Sequence, residues 1–484
     1  MMAEATPDTS SKSVPAWVGK AAVFVLFAGL LTAFFLLATR KGAKDNSGIK
    51  ENGEPALVRH DQQPYLNVAR KLVDEHFNWI VPRHRMPGYS LMLIPFYDPD
   101  TAYEIDPTGK EDRRISEAFF ERGKRFNIIL AMAVLVALYF LSRRWMPVWE
   151  AFLTTWSFGF LLAVIKAPYV QPEIIFYLTF TLSFALLLKQ LEDPTWMTAI
   201  FAGVALAATF ILKSAVIPLI ALFLACFGLK RLVDLIIEFR TGKRESAWKR
   251  FAVDLSKAAI IPVVFVALLS PYLRNTWKLY GSPFFDVHSK YYMWMDTDEE
   301  KRKWRDLDIA EPDFVKPENE ELPGPAKYFR EHEIGEMIER PQIGWGKLKW
   351  RLKEDYSPLY RLLVENCRWI VIIVLVLHWR ETLAWLRKHW ATVLMSTGFF
   401  LGYGLLYCWY AAIGVGPRLI LGLSLPLIGL SFFLVGRFGG VTRIPKLGIQ
   451  LNDRRIALIA LTLATIYHSW HVVSHDLWII EGGQ

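Results

Sequence analysis

Apolar runs of roughly 15 to 20 residues recur along the chain, divided by short polar stretches and by two long ones. Each run is near the ~20 residues that carry a helix across a bilayer. The runs predict helices over 21–38, 126–142, 149–165, 173–188, 196–212, 215–237, 257–273, 369–379 with extensions on both sides, 391–412, 417–435 and 455–473. That makes about 11 transmembrane helices, and the fold class expected is an all-α polytopic membrane protein. Gly203, Gly402, Gly404 and Gly422 fall within spans, where small residues permit close helix contact.

The pattern divides the chain into a polar tail at 1–16, expected to be disordered, and a first span within 17–38. A long loop at 39–125, helices two to seven over 126–273, a second long loop at 274–366, and helices eight to eleven with a short tail over 367–484 follow. The first apolar run is long for a cleaved signal peptide, so it reads as an anchor that stays in place. In the first loop, Leu66, Ala69, Leu72, Val73, Phe77 and Ile80 share one face of a helix over 64–80, opposite Arg70, Lys71, Asp74 and Glu75. Such a helix is expected on the membrane surface. The second loop opens on Ser270-Pro271-Tyr272, read as a helix break. It carries an acid-rich stretch from Asp296 to Glu321 and amphipathic stretches over 327–340 and 348–362.

Charge sets the orientation. Arg143-Arg144, Lys189, the run from Lys230 to Arg250, Arg380 to Lys388 and Arg437 to Arg455 all fall on one side. The positive-inside rule assigns that side to the cytoplasm and turns both long loops outward. Arg40, Lys41 and Lys44 argue the other way for the first span, but long loops follow the rule poorly.

Composition agrees with the pattern: 53% of residues are hydrophobic, and the mean hydropathy is +0.23. The net charge of +9 sits mostly in short loops between spans, so it gives no argument for nucleic acid. The three cysteines, Cys226, Cys367 and Cys408, form no CxxC pair and read as small core residues, not as a disulfide or zinc framework. No internal repeat, GxGxxG, Walker or HExxH motif is present.

The candidate chemistry gathers at the outer ends of the spans. Asp61, after Arg59-His60, precedes the amphipathic helix and suits either an N-cap or a general base. Arg85-Met86-Pro87-Gly88-Tyr89 closes a basic patch with Arg83 and His84. Arg85 suits either a lipid-headgroup contact or bidentate phosphate binding. Glu173 follows Pro172 at the start of a span, as a helix-terminus acid or a functional one. Lys213, Arg274 and Arg418 reach the same level from distant parts of the chain, and with Arg85 they suggest a cationic pocket for a lipid phosphate. Asp98-Pro99-Asp100 has the spacing of a metal-binding DxD, and equally of an Asp-Pro turn.

Taken in order, these segments resemble the GT-C glycosyltransferases of the protein O-mannosyltransferase and lipid A aminoarabinose transferase type. Asp61 and Tyr65 with Ala69-Arg70 resemble the family's acidic opening. Arg85 to Tyr89 with Leu91 resembles its R-x-P-G-Y-P segment, with Ser90 in place of the last proline. Pro172-Glu173, Pro271-Tyr272-Leu273-Arg274-Asn275 with Gly281, and Arg418 with Pro426 resemble its later signatures. Gln62 stands where many relatives have a second acid.

The resemblance implies a GT-C fold and a monosaccharide donor linked to polyprenyl phosphate, held at the non-cytoplasmic face of a bacterial-type inner membrane. Asp61, with Glu173, would be catalytic and would drive inverting transfer to an acceptor hydroxyl on a glycan, glycolipid or protein. Arg85, Lys213, Arg274 and Arg418 would hold the donor phosphate, and Tyr65, Tyr89 and Asn275 would line the substrate site. No cofactor is expected; a divalent ion at Asp98 and Asp100 is the metal alternative. A flippase for a lipid-linked sugar is the second reading. It would place polar groups at mid-membrane and break helices in paired halves, whereas the polar groups here gather at one surface. A scaffold subunit of an envelope complex, docking through the acid-rich loop, is a third.

Overall fold

The computed structural model describes residues 16–45, 61–77, 85–100, 115–242, 244–413, 416, 418, 420–444, 449–475 and 477. Arg59-His60, Ile80, Arg83-His84, Gly414-Val415 and Pro417, together with the tail before Ala16, lie outside the described residues.

The described chain is almost entirely helical. It begins with α1 (Ala16–Asp45), α2 (Gln62–Asp74), α3 (Gly88–Leu93), α4 (Glu117–Ser142), α5 (Val148–Lys166) and α6 (Glu173–Glu192). Next come α7 (Trp196–Leu212), α8 (Ser214–Arg240), α9 (Arg244–Tyr280), α10 (Val287–Lys290), α11 (Asp298–Asp306), α12 (Pro325–Glu331) and α13 (Ile334–Asp355). The last are α14 (Ser357–Leu377), α15 (Trp379–Lys388), α16 (Trp390–Ala411), α17 (Ile420–Phe438) and α18 (Asp453–Ser474). One hairpin, β1 (Val441–Ile444) with β2 (Ile449–Asn452), pairs antiparallel between α17 and α18.

Among the described residues, nine helices are long and apolar enough to cross a membrane. The pair α14–α15, bent by 95°, makes a tenth when taken as one span. Helix α7 is apolar but has only 17 residues, about 26 Å at 1.5 Å per residue, slightly short of the hydrocarbon core. Every apolar run in the sequence thus coincides with a helix. The chain is an integral, multi-pass, all-α membrane protein.

Two boundaries differ from expectation for identifiable reasons. The span expected over 257–273 continues through Ser270-Pro271 to Tyr280, so Arg274 and Asn275 lie on α9 itself. Pro271 has no N–H to offer the Ala267 carbonyl, but Ser270 Oγ donates to that same oxygen at 2.8 Å. The polar group freed by the proline is satisfied, and the helix continues. In the second loop, the helical stretches meet near His332 and again at Tyr356, so one long helix, α13, replaces parts of the two expected segments.

Packing follows the sequence more selectively. Gly203 brings α7 against α9, where an added Cβ would meet Ile261 O at 2.9 Å. Gly422 lies against Phe176, but Gly402 and Gly404 face open space. The closest approach is at Gly344 of α13, where an added Cβ would overlap the Cys408 carbonyl of α16. Arg340, one turn earlier, is clamped beside it. Its Nη2 donates to Met293 O (3.1 Å) and Met295 O (2.6 Å), and its Nε donates to Trp409 O (3.2 Å). The guanidinium lies 4.8 Å from the ring centres of both Tyr328 and Trp409. All three cysteines are buried and unbridged.

Candidate active site

Helix α2 positions the first candidate group, Asp61. Leu66, Ala69 and Leu72 are buried as the spacing predicts, while Val73 is half-buried and Phe77 exposed. The apolar face expected to rest on lipid is covered by the protein's own residues, because Leu66 and Ala69 join Tyr89, Phe119, Phe120, Val170 and Leu212 in one small core. Gln62 Oε1 accepts from Val170 N at 2.8 Å and ties the helix start to the segment after α5.

Asp61 stands at the N-cap position of α2 with φ 59° and ψ 30°, in the left-handed region that Asp tolerates better than most residues. Its side chain makes no capping hydrogen bond. It turns instead to two guanidinium groups: Arg418 Nη2 donates to Asp61 Oδ2 at 2.5 Å, and Arg85 Nη2 lies 3.2 Å from the same oxygen. Asp61 thus has the position of a cap without its function. Burial acts to raise the Asp61 carboxyl, and the charges of Arg418 and Arg85 override it, holding the group well below the usual carboxylate range. The Asp61 side chain is 36% exposed, so the pair remains reachable from outside.

The turn over 85–89 is built to present Arg85. Gly88 packs against the last turn of α7, where an added Cβ would sit 2.6 Å from Ile211 O. Tyr89 is fully buried, donating to Asn127 Oδ1 at 3.1 Å. Asn127 in turn donates to Ala167 O and Tyr169 O at 3.0 and 2.6 Å. Tyr65 meets Tyr89 edge-on, with ring centres 5.5 Å apart, and carries the Arg85 guanidinium 5.8 Å from its own ring centre. Tyr89 therefore supports the site from behind, and Tyr65 borders it. Arg418 is held from its own side by Tyr177, whose OH donates to the Arg418 carbonyl at 3.1 Å.

A second ion pair stands beside the first. Lys213 Nζ donates to Glu173 Oε1 at 2.9 Å. Glu173 is 2% exposed, and its Oε2 has no hydrogen-bond partner among the described residues. Lys213 also lies 5.1 Å from the ring centre of Phe176. The charges of Arg418, Lys213 and Lys166 all bear on Glu173. Among the described residues, the acids Asp61 and Glu173 therefore face a larger number of cations: Arg85, Arg418, Lys213 and Lys166.

Asp61, Tyr65, Arg85, Glu173, Lys213 and Arg418 are thus brought to one place. Arg274 and Asn275 are exposed on the last turns of α9, and Arg274 joins no ion pair among the described residues. Asp98 Oδ1 accepts from Asp100 N at 3.1 Å and closes a turn.

Two neighbours escaped the sequence reading. Lys166, at the end of α5, lies 5.3 Å from the Tyr356 ring centre; a lysine closing an apolar run was the signal for it. His288 on α10 pairs through Nδ1 with Tyr410 OH at 2.5 Å beside the same site. Nothing in the local sequence marks His288.

No family model matches the chain, and no curated protein matches it. Among solved structures the chain is similar to ArnT from Cupriavidus metallidurans in the apo state. The two share 13% identity over 87% of this chain and 78% of that one, with a TM-score of 0.30.

Proposed function

We propose that the protein is a membrane glycosyltransferase of the GT-C type that moves a monosaccharide from a polyprenyl-phosphate carrier to an acceptor hydroxyl at the non-cytoplasmic face. The observation that carries this reading is the bracketing of Asp61 by Arg418 and Arg85. One carboxylate and two guanidiniums meet at a partly open surface, with Lys213 and Glu173 beside them.

The chemistry follows from competition for the guanidiniums. A carboxylate bound by two of them is ionised but weakly basic. A donor phosphate entering the site takes over Arg418 and Arg85 in bidentate fashion. Asp61, released from them, becomes a better proton acceptor. The acceptor hydroxyl passes its proton to Asp61 as its oxygen attacks the anomeric carbon. The bond from that carbon to the phosphate oxygen breaks with its electron pair leaving on phosphate, and configuration inverts. The polyprenyl phosphate departs with one more negative charge, which the cations stabilise; fixed charges of this kind are typically worth ~10²–10³ in rate. Glu173 keeps Lys213 in place beside the reacting centre.

The test is direct. Purified protein is incubated with a small panel of polyprenyl-phosphate sugars, and released polyprenyl phosphate is measured. Release that requires Asp61 supports the reading; absence of release across the panel, with donor binding intact, favours a flippase instead.

A further inference from the structure

Helix α14 contains a π-helical stretch, Arg361–Cys367. Wider turns of this kind are frequent where a helix presents groups to a ligand. Here the wide turn faces α18. Between them lies an open-sided cleft of about 440 Å³, whose polar lining is Arg361, Glu365, Asn366, Tyr467 and His468.

The depth of the cleft gives it meaning. His378, just beyond α14, pairs with Asp453 at the start of α18 at 2.7 Å, so the two helices share a level there. Counting back along α14 to Arg361 and along α18 to His468 at 1.5 Å per residue gives roughly 26 and 22 Å. Taking the His378–Asp453 level, which Arg454 and Arg455 adjoin, as one edge of a hydrocarbon core about 30 Å thick places both residues inside it, near the far boundary. Arg361 and Glu365 are exposed at that depth, and neither makes an ion pair among the described residues. Exposed charges beside lipid tails are unfavourable unless a polar group meets them. Asn366 and His468 are already arranged for one, with His468 Nε2 2.9 Å from Asn366 Oδ1 and His468 itself 6% exposed. Leu463 and Tyr467 leave about 60% of their surfaces open alongside, 61% and 60%.

We infer that this cleft binds the headgroup of a membrane lipid carrying a phosphate beside a primary ammonium. Arg361 takes the phosphate through its paired N–H groups, assisted by the amide N–H of Asn366, which His468 orients through Asn366 Oδ1. Glu365, one turn along the same face, takes the ammonium. The acyl chains lie along Leu463 and Tyr467. The cleft opens at the same end of the bundle as Asp61: Tyr356, just before the wide turn, lies under Lys166, whose charge bears on Glu173. It shares no residue with that site, and the inference stands whether or not the protein transfers sugar.

Native mass spectrometry of the purified full-length protein tests this directly. The probes are phosphatidylethanolamine, phosphatidylglycerol and phosphatidylcholine, added separately after delipidation. Phosphatidylethanolamine is expected to be retained most strongly. Arg361→Gln and Glu365→Gln are each expected to reduce its retention about tenfold, the loss of one charge-assisted hydrogen bond. Leu463→Trp, which fills the cleft without touching a charge, is expected to reduce it as well and guards against misfolding of the charge variants. Equal retention by wild type and all three variants overturns the site. Equal retention of phosphatidylglycerol overturns the ammonium contact. Displacement of the lipid by excess soluble phosphoethanolamine overturns a lipid ligand in favour of a free phosphate ester.

Discussion

Arg418 and Asp61 are 357 positions apart in sequence, yet Arg418 Nη2 donates to Asp61 Oδ2 at 2.5 Å. The contact joins the segment before α17 to the start of α2, and Arg85 reaches the same carboxylate oxygen from the turn before α3. Neutralising either partner should therefore disturb chemistry more than folding, because the pair is partly open to solvent. Asp61→Asn is expected to lower sugar transfer by ~10³ or more while donor binding persists. Arg418→Ala is expected to cost ~10²–10³ in rate. Released polyprenyl phosphate and donor affinity, measured side by side, check both.

Arg274 gives a contrasting expectation. It is exposed on α9 and pairs with neither acid of the site among the described residues. Arg274→Ala is expected to weaken donor affinity by about tenfold, one charged contact, with the rate at saturation retained. Unchanged affinity would make Arg274 an interface anchor only.

The pH dependence of stability follows from the depressed Asp61 carboxyl. A group whose pKa is lowered on folding contributes stability above its unfolded pKa, near 3.9, and loses it as pH falls through the folded value. The difference in unfolding temperature between wild type and Asp61→Asn is therefore expected to stay constant from pH 8 to about pH 5. It is expected to shrink only below about pH 4. Thermal unfolding across that range is the measurement.

Two backbone details predict larger structural effects. Gly344→Ala places a methyl group into the Cys408 carbonyl and is expected to destabilise by about 3 kcal/mol or more, or to prevent folding. Ser270→Ala removes the donor to Ala267 O and is expected to destabilise by about 1 kcal/mol, and Pro271→Ala in the same background should restore it by supplying the missing N–H. Unfolding midpoints of the three variants decide these points.

The span pattern was legible because each apolar run answers to one constraint, the thickness of the bilayer. Helix α7 shows the limit of that constraint: its run was found, but at 17 residues it falls just short of a full crossing. Asp61 was legible as an N-cap position and as an acid set among cations. Its left-handed backbone and its partner were not, since only tertiary folding brings Arg418 to it. The glycines divide the same way. Gly203 and Gly422 pack as small residues in spans are expected to, while Gly402 and Gly404 look identical in sequence and face open space. Ser270-Pro271 misled for a specific reason: proline signals a lost hydrogen bond, and the serine that repairs it lies one residue away.

The fastening of α13 to α16 has a consequence for motion. Gly344 sets the two backbones in direct contact, and Arg340 binds carbonyls from both the 293–295 segment and Trp409. Held this way, α13 does not swing like a flap: it and the 293–295 segment travel with α16 as one body, and parting them breaks all of these bonds together.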